Sequence, residues 1–405
     1  MRIVVVLALM VPWLGAAWGQ SASPLGTSRP LLVLHSPATA AGLDRIERYL
    51  FTESALSGRV AGLLALVTAR EMNLVYEWSI REDAARSSGL EPAVIDVVRN
   101  NGSVDGLSRD DALLIDFGRQ LFRNRHVRSE TFAALVERLG RQDAFDAIML
   151  LAYPAMAGIL QRAVDQQPPA GWNAARLPRI ANVGTPTGRP AEFVPLAERP
   201  PLAPDVYEDS YYRFPLLTRE ELAPRAREIF DRVVGADRAA TPRGPVGMTF
   251  LSATLVEPVQ DINNALRVNG GIGTRLAEIV IAAAGREMNS QYQWTVHGAG
   301  AAQAGAGQAV LDAIRNDAPV EGLDGTDAIA ITMARELFRE ETVRSETFAK
   351  AVELFGTRGT VEIVALIGDY LMMTTVYNAL GMRLRPDQEA MLPHRAGAPV
   401  GAEWR

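Results

Sequence analysis

The chain of 405 residues is 48% hydrophobic and 22% charged, enough apolar surface for two or three ordinary globular domains. Its net charge of −6 and its lack of any Lys/Arg-rich run exclude the clustered basic face that displaces counterions from a duplex, so no nucleic-acid partner is expected. It holds no cysteine, which excludes disulfides, thiolate metal sites, thiol nucleophiles and a lipidated N-terminal Cys.

The first residues have the form of an export signal. Arg2 supplies a minimal positive charge, Ile3 to Leu14 form an apolar stretch broken only by Pro12, and Ala17 and Gly19 stand at the small-residue positions before Gln20. A signal peptide over residues 1–19 makes the mature chain periplasmic or secreted. The stretch is short for a bilayer span, and no later uninterrupted run of about 18 apolar residues occurs, so no membrane association is expected after cleavage. An uncleaved N-terminal anchor is the alternative.

The rest of the chain is one unit written twice. Arg70-Glu71-Met72-Asn73 recurs as Arg286-Glu287-Met288-Asn289, an offset of 216 residues. At that offset Tyr76 and Trp78 meet Tyr292 and Trp294, and Val127 to Phe132 meets Val343 to Phe348. From Arg70 to Val164 the two stretches share roughly 36 identities in 95 positions without a gap, a tandem duplication. The boundaries read as a first domain over 31–165, a Pro/Gly-rich linker over 166–204, a second domain over 205–382 and a tail over 383–405.

Helical periodicity runs through both copies. In the second, Leu222, Ala226, Ile229, Phe230 and Val233 predict an added helix over Thr218 to Val234. Leu276, Ile279, Val280 and Ala283 predict one over Thr274 to Met288. Asn289 or Ser290 caps a further helix that runs to Ala304 and ends at Gly305. Short and medium helices follow over Gln308 to Arg315 and from Asp324 or Thr326 to Phe338. One from Ser345 ends at Gly356, and the longest spans about Thr360 to Leu380. Alternating β-type runs are missing, so the fold class is all-α.

The stretch Thr274 to His297, TRLAEIVIAAAGREMNSQYQWTVH, resembles the central two-helix motif of the carboxymuconolactone decarboxylase and alkylhydroperoxidase D superfamily. The resemblance extends over about Leu34 to Val164 and Pro204 to Leu380, and implies two tandem copies of that helical domain. In the peroxidase branch a Glu, two cysteines and a His follow the spacing Glu-x11-Cys-x2-Cys-x3-His. Here these positions are Glu278, Ser290, Gln293 and His297. An alcohol and an amide in place of the two thiols rule out thiol peroxidase chemistry.

What remains is a Glu278/His297 acid–base pair as the candidate catalytic groups. Ser290, Gln291, Gln293 and Trp294 are the candidate substrate-binding residues around a helix N-terminus suited to an anionic oxygen. The first copy carries Gly62, Leu74, Glu77 and Arg81 at the four motif positions, which reads as scaffold, with Glu77 and Arg81 forming an ordinary i, i+4 pair. Glu71 and Glu287, present in both copies, read as structural partners of a nearby Arg. Tyr292 and Trp294 read as core or cavity wall, and the small residues of Gly298 to Gly307 as close-packing positions. His35, His126 and His394 match no cluster, and no His/Asp/Glu grouping has metal-ligand spacing.

Two readings stand at this point. The first is an exported lyase that acts without a cofactor, by acid/base chemistry, on a small carboxylated or lactone substrate. The second is a non-catalytic small-molecule-binding or structural protein on the same fold. The resemblance also implies a homo-oligomer, a trimer of two-domain chains being one closed arrangement.

Overall fold

A computed structural model describes residues 28–168, 177–180, 193–194, 201–389 and 392–395. The expected signal segment, most of the expected linker and the end of the tail lie outside the described residues. In chain order the helices are α1 (Ser28–His35), α2 (Pro37–Arg48), α3 (Gly58–Glu71), α4 (Val75–Ser87), α5 (Pro92–Arg99), α6 (Arg109–Asn124) and α7 (Ser129–Ala163). After the inter-copy stretch come α8 (Pro224–Phe230), α9 (Pro245–Thr249), α10 (Val256–Asn263), α11 (Gly273–Glu287), α12 (Gln291–Gln293), α13 (Ala299–Gln303), α14 (Gln308–Arg315), α15 (Gly325–Arg339) and α16 (Ser345–Ala379). The protein is all-helical, as its periodicity predicts. Among the described residues the one sheet is a two-residue antiparallel pair, β1 (Phe193–Val194) with β2 (His394–Arg395), which ties the inter-copy stretch to the C-terminal segment.

Helices and backbone specials recur at the sequence offset. α5 and α7 map residue for residue onto α14 and α16. The left-handed positions Asn73, Gly89, Asn101, Gly106, Arg125 and Gly140 recur as Asn289, Gly305, Asp317, Gly322, Glu341 and Gly356. Ion pairs between half-exposed arginines and buried carboxylates recur as well. Arg59–Asp111 at 2.7 Å is matched by Arg275–Asp327, and Arg123–Glu71 by Arg339–Glu287, each at 2.5 Å. Glu71 and Glu287 are thus the structural partners of arginines that the sequence suggests.

The core is built on α7 and α16, which pack along each other. A Cβ on Gly368 would stand 3.2 Å from Met156, so a small residue sets that approach. Both helices are long and apolar enough to cross a membrane. Of their most apolar windows, however, 94% and 100% of the residues are buried inside the fold, which makes them core helices here. Each is interrupted once, at Gly140 (φ 79°) and Gly356 (φ 67°). The helix predicted to end at Gly356 does end there, and a second helix follows it across a kink within the same span. On the far side of the core α2 crosses α10, where Gly42 meets Ile262 and the Pro258 carbonyl, and Arg45 pairs with Asp261, its own equivalent at the offset.

Two expectations need correction. The helix predicted from Thr218 begins only at Pro224, because proline suits the first helical position and holds Ala223 extended (ψ 155°). Upstream, Thr218 bridges to Ala240 instead. The linker and tail are also partly structural. Leu177 and Leu392 are buried, and the carbonyls of Pro178 and Pro393 each accept a 2.7 Å hydrogen bond, from the buried Arg70 and Arg286 respectively.

The break at Gly356 yields a stability prediction. Its φ of 67° with ψ of 172° lies in a region nearly closed to residues with a Cβ. Gly356→Ala is expected to lower unfolding free energy by about 1–3 kcal/mol in urea titration, although open space surrounds the position. Gly325→Ala, at the start of α15 and equally open, is expected to be neutral or slightly stabilising. Equal effects of the two substitutions would contradict this account of the kink.

Candidate active site

The site is created by a chain reversal. α11 ends at Glu287, and Asn289 takes a left-handed conformation (φ 55°), held by a 2.6 Å hydrogen bond from Arg286 to its side-chain oxygen. Ser290 then caps the next helix, its hydroxyl accepting from the Gln293 amide at 3.3 Å. The returning helix lies back against α11 through small residues: Gly285 faces Gln293, and a Cβ on Gly300 would strike the Glu278 carboxylate. Of the Gly-rich run, Gly300 thus serves close packing, whereas Gly305 and Gly307 have open space around them.

This return brings together the two residues that the sequence pairs across 19 positions. His297 Nδ1 and Glu278 Oε2 are 2.8 Å apart, both side chains buried. The other carboxylate oxygen, Oε1, accepts from Arg267 Nε at 2.7 Å. Between α12 and α13 the helix widens into a π turn over Trp294–Gly298, which carries His297; its counterpart α4 runs through the same positions as regular helix. Such widened turns are a recurrent feature of functional sites. Tyr370 packs edge-on against the imidazole, centroids 4.9 Å apart.

Burial alone would raise the Glu278 carboxyl, but the hydrogen bond of His297, with the hydrogen bond and charge of Arg267, brings it below the ordinary carboxylate range. Burial lowers the imidazole, against the pull of Glu278. The arrangement is therefore a carboxylate beside a neutral imidazole. The carboxylate can only accept, so the imidazole proton sits on Nδ1 and Nε2 is left as a base.

His297 opens on a cavity of ≈ 310 Å³ whose wall also carries Val259, Asn263, Arg267, Tyr292, Asp369, Tyr370, Met373 and Tyr377. Asp369 is fully buried; burial pushes its carboxyl up to about 7, and only the Asn263 side chain, at 3.4 Å, counters it. The cavity thus combines a neutral imidazole and a carboxyl group that retains its proton to near neutrality, two titratable groups pushed toward opposite roles. Comparison of the chain with protein-family models, curated proteins and solved structures gives no match in any of the three.

The four residues expected to bind substrate lie elsewhere. Gln291 is fully buried, and its side-chain amide exchanges hydrogen bonds with the Leu392 backbone, so the helix N-terminus is covered by the C-terminal segment. Ser290 is spent on its cap, and Gln293 donates to Thr374 at 3.0 Å. Trp294 is buried against Gly298, outside the cavity wall. Polar groups on the cavity wall come instead from residues that the motif does not include, among them Arg267, Asn263, Asp369 and Tyr370. A signal for Asp369 was present: a lone acid inside the apolar run of α16, where the first copy has Tyr153. Among the described residues no group of three or more His, Cys, Asp or Glu side chains could hold a metal ion.

In the first copy the same place is filled. Arg81 stands at the position of His297, bonded to Glu47 at 2.9 Å and Glu77 at 3.2 Å and lying 4.1 Å over the Phe51 ring. Tyr153 and Gln161 complete the bonding of those two carboxylates.

Asp369 makes stability depend on pH. Its raised carboxyl keeps its proton in the folded chain where the unfolded chain has lost it, so its contribution is complete below about pH 3.8 and is lost as pH rises to about 7. Asp369→Asn is expected to exceed the wild type in unfolding free energy at pH 8 by on the order of 3–4 kcal/mol. That advantage should vanish near pH 4 in urea titrations. A difference that does not change with pH would show that Asp369 is ionised in the folded chain.

Proposed function

We propose that the chain is an exported, tandem-duplicated carboxymuconolactone decarboxylase-like protein. Its second copy acts as a cofactor-free lyase or isomerase on a small carboxylated or lactone substrate. The observation that carries this reading is the 2.8 Å bond between His297 and Glu278 on the wall of a cavity of ≈ 310 Å³. His297 Nε2 takes a proton from carbon next to a carbonyl, and the C–H electron pair moves onto the carbonyl oxygen. The developing oxyanion is met by the proton of Asp369, and return of the proton to another carbon or loss of a leaving group completes the turnover. Arg267 holds Glu278 ionised, and Glu278 stabilises the imidazolium as it forms. No thiol takes part, since the chain has none.

The same reading treats the two copies as an internal pseudo-dimer. Support comes from Arg45–Asp261, where one position of the repeat meets its own equivalent, as residues on a two-fold axis do. The non-catalytic alternative is favoured for the first copy, where Arg81, Glu47 and Glu77 occupy the corresponding space with satisfied ion pairs. Assembly into a homo-oligomer and a periplasmic or secreted location belong to the proposal on the strength of the sequence alone.

The test is a thermal-shift screen of the purified protein against small carboxylic acids and lactones, followed by turnover assays on those that stabilise it. His297→Gln and Glu278→Gln are each expected to lower kcat by about 10²–10⁴-fold with the fold intact. Full turnover in His297→Gln would leave only a binding or structural role.

A further inference from the structure

Asp369 sits in an unusual electrostatic position. It is fully buried, its Oδ1 has no hydrogen-bond partner, and its Oδ2 reaches only the Asn263 amide at 3.4 Å. Among the described residues no cation pairs with it. An ionised carboxylate in such a place would carry a large desolvation cost, so the neutral acid is the resting form. A neutral acid on a cavity wall has one O–H to donate, and the surroundings leave it without an acceptor.

The matching positive group stands on the same wall. Arg267 gives its Nε to Glu278, yet its side chain remains 36% exposed. Asn263 touches both Tyr370, at 3.2 Å, and Asp369, at 3.4 Å, and Arg267 and Asp369 line the same cavity. Val259, Val296 and Met373 supply apolar surface beside them. A guanidinium and a carboxylic O–H both donate, and what they share best is an anionic oxygen pair on an apolar body.

We propose that this cavity binds a small carboxylate as its anion, between the guanidinium of Arg267 and a protonated Asp369, so that binding is coupled to a proton. This rests on the reading that the cavity is the substrate site, and adds how the substrate enters it. The other ionisable groups facing Asp369 are each shifted away from the range in which Asp369 titrates. Burial lowers His297 against the pull of Glu278, Glu278 lies below the ordinary carboxylate range, and Arg267, Tyr292, Tyr370 and Tyr377 are all raised. Asp369 is the facing group brought to about 7.

The test is calorimetric titration of the full mature chain with benzoate from pH 6 to 9, in two buffers of different ionisation heat. The competent fraction of protein falls as Asp369 ionises, so Kd is expected to be flat below pH 7 and to rise about tenfold per pH unit above it. Proton uptake should approach about one per benzoate at pH 8. Asp369→Asn is expected to bind with a pH-independent Kd and no proton uptake, and His297→Gln to keep the wild-type slope. No benzoate binding at millimolar concentration, a flat wild-type profile without proton uptake, or a slope retained in Asp369→Asn would each overturn the proposal. The two readings separate cleanly. A slope abolished by Asp369→Asn beside turnover indifferent to His297→Gln keeps proton-coupled binding and removes the catalytic reading. Turnover lost in His297→Gln beside a flat wild-type profile does the reverse.

Discussion

Glu278 is the group on which the candidate site depends. A carboxylate with a side-chain exposure of 3% is costly to keep charged, and its two oxygens are matched by Arg267 on one side and His297 on the other. The first contact keeps Glu278 ionised. The second fixes which imidazole nitrogen holds the proton and turns the other into a base. Remove Arg267 and the carboxyl would move toward its neutral form; remove the chain reversal at Asn289 and the two residues would lie on separate turns, far from each other. The left-handed Asn289, the Ser290 cap and the Gly300 approach are therefore parts of the chemistry as much as of the fold.

The two copies show how one helical frame carries different interiors. Where the second places Asn263, Arg267, Glu278, His297 and Asp369, the first places Glu47, Phe51, Gly62, Arg81 and Tyr153 at the same offset. In the first, the cation is central and two carboxylates close on it, so every charge is satisfied internally. In the second, the cation stands at the edge, the imidazole is neutral and one acid has a single long hydrogen bond and one unpartnered oxygen, so satisfaction has to come from outside. An interior that completes its own hydrogen bonds is a scaffold; one that leaves a donor and a base facing a cavity is prepared for a ligand.

Much of this was legible in the sequence. The duplication, the helical class and the break before Ser290 follow from repeat spacing and capping chemistry, and the meeting of Glu278 with His297 is what the family resemblance implies once that break is in place. The other wall of the cavity was not legible, because the motif lies on two consecutive helices while the cavity is closed by α10, the π turn Asn264–Val268 that follows it and α16, which are remote in sequence. Ser290 and Gln291 looked like anion binders because they open a helix, and nothing local to them tells that the segment around Leu392 covers that end. Asp369 and Arg267 were visible only as charges that the two copies do not share, a signal that acquires meaning once the cavity places them together.

The account's central claim concerns one proton. It requires His297 to be neutral, with the proton on Nδ1 toward Glu278 and Nε2 bare toward the cavity. Long-range ¹H–¹⁵N correlation spectra of the chain's four histidines, with His297→Gln to assign the resonance, measure this directly. The account predicts the neutral, Nδ1-protonated tautomer throughout pH 6 to 8. An imidazolium at neutral pH, or a proton on Nε2, would contradict it.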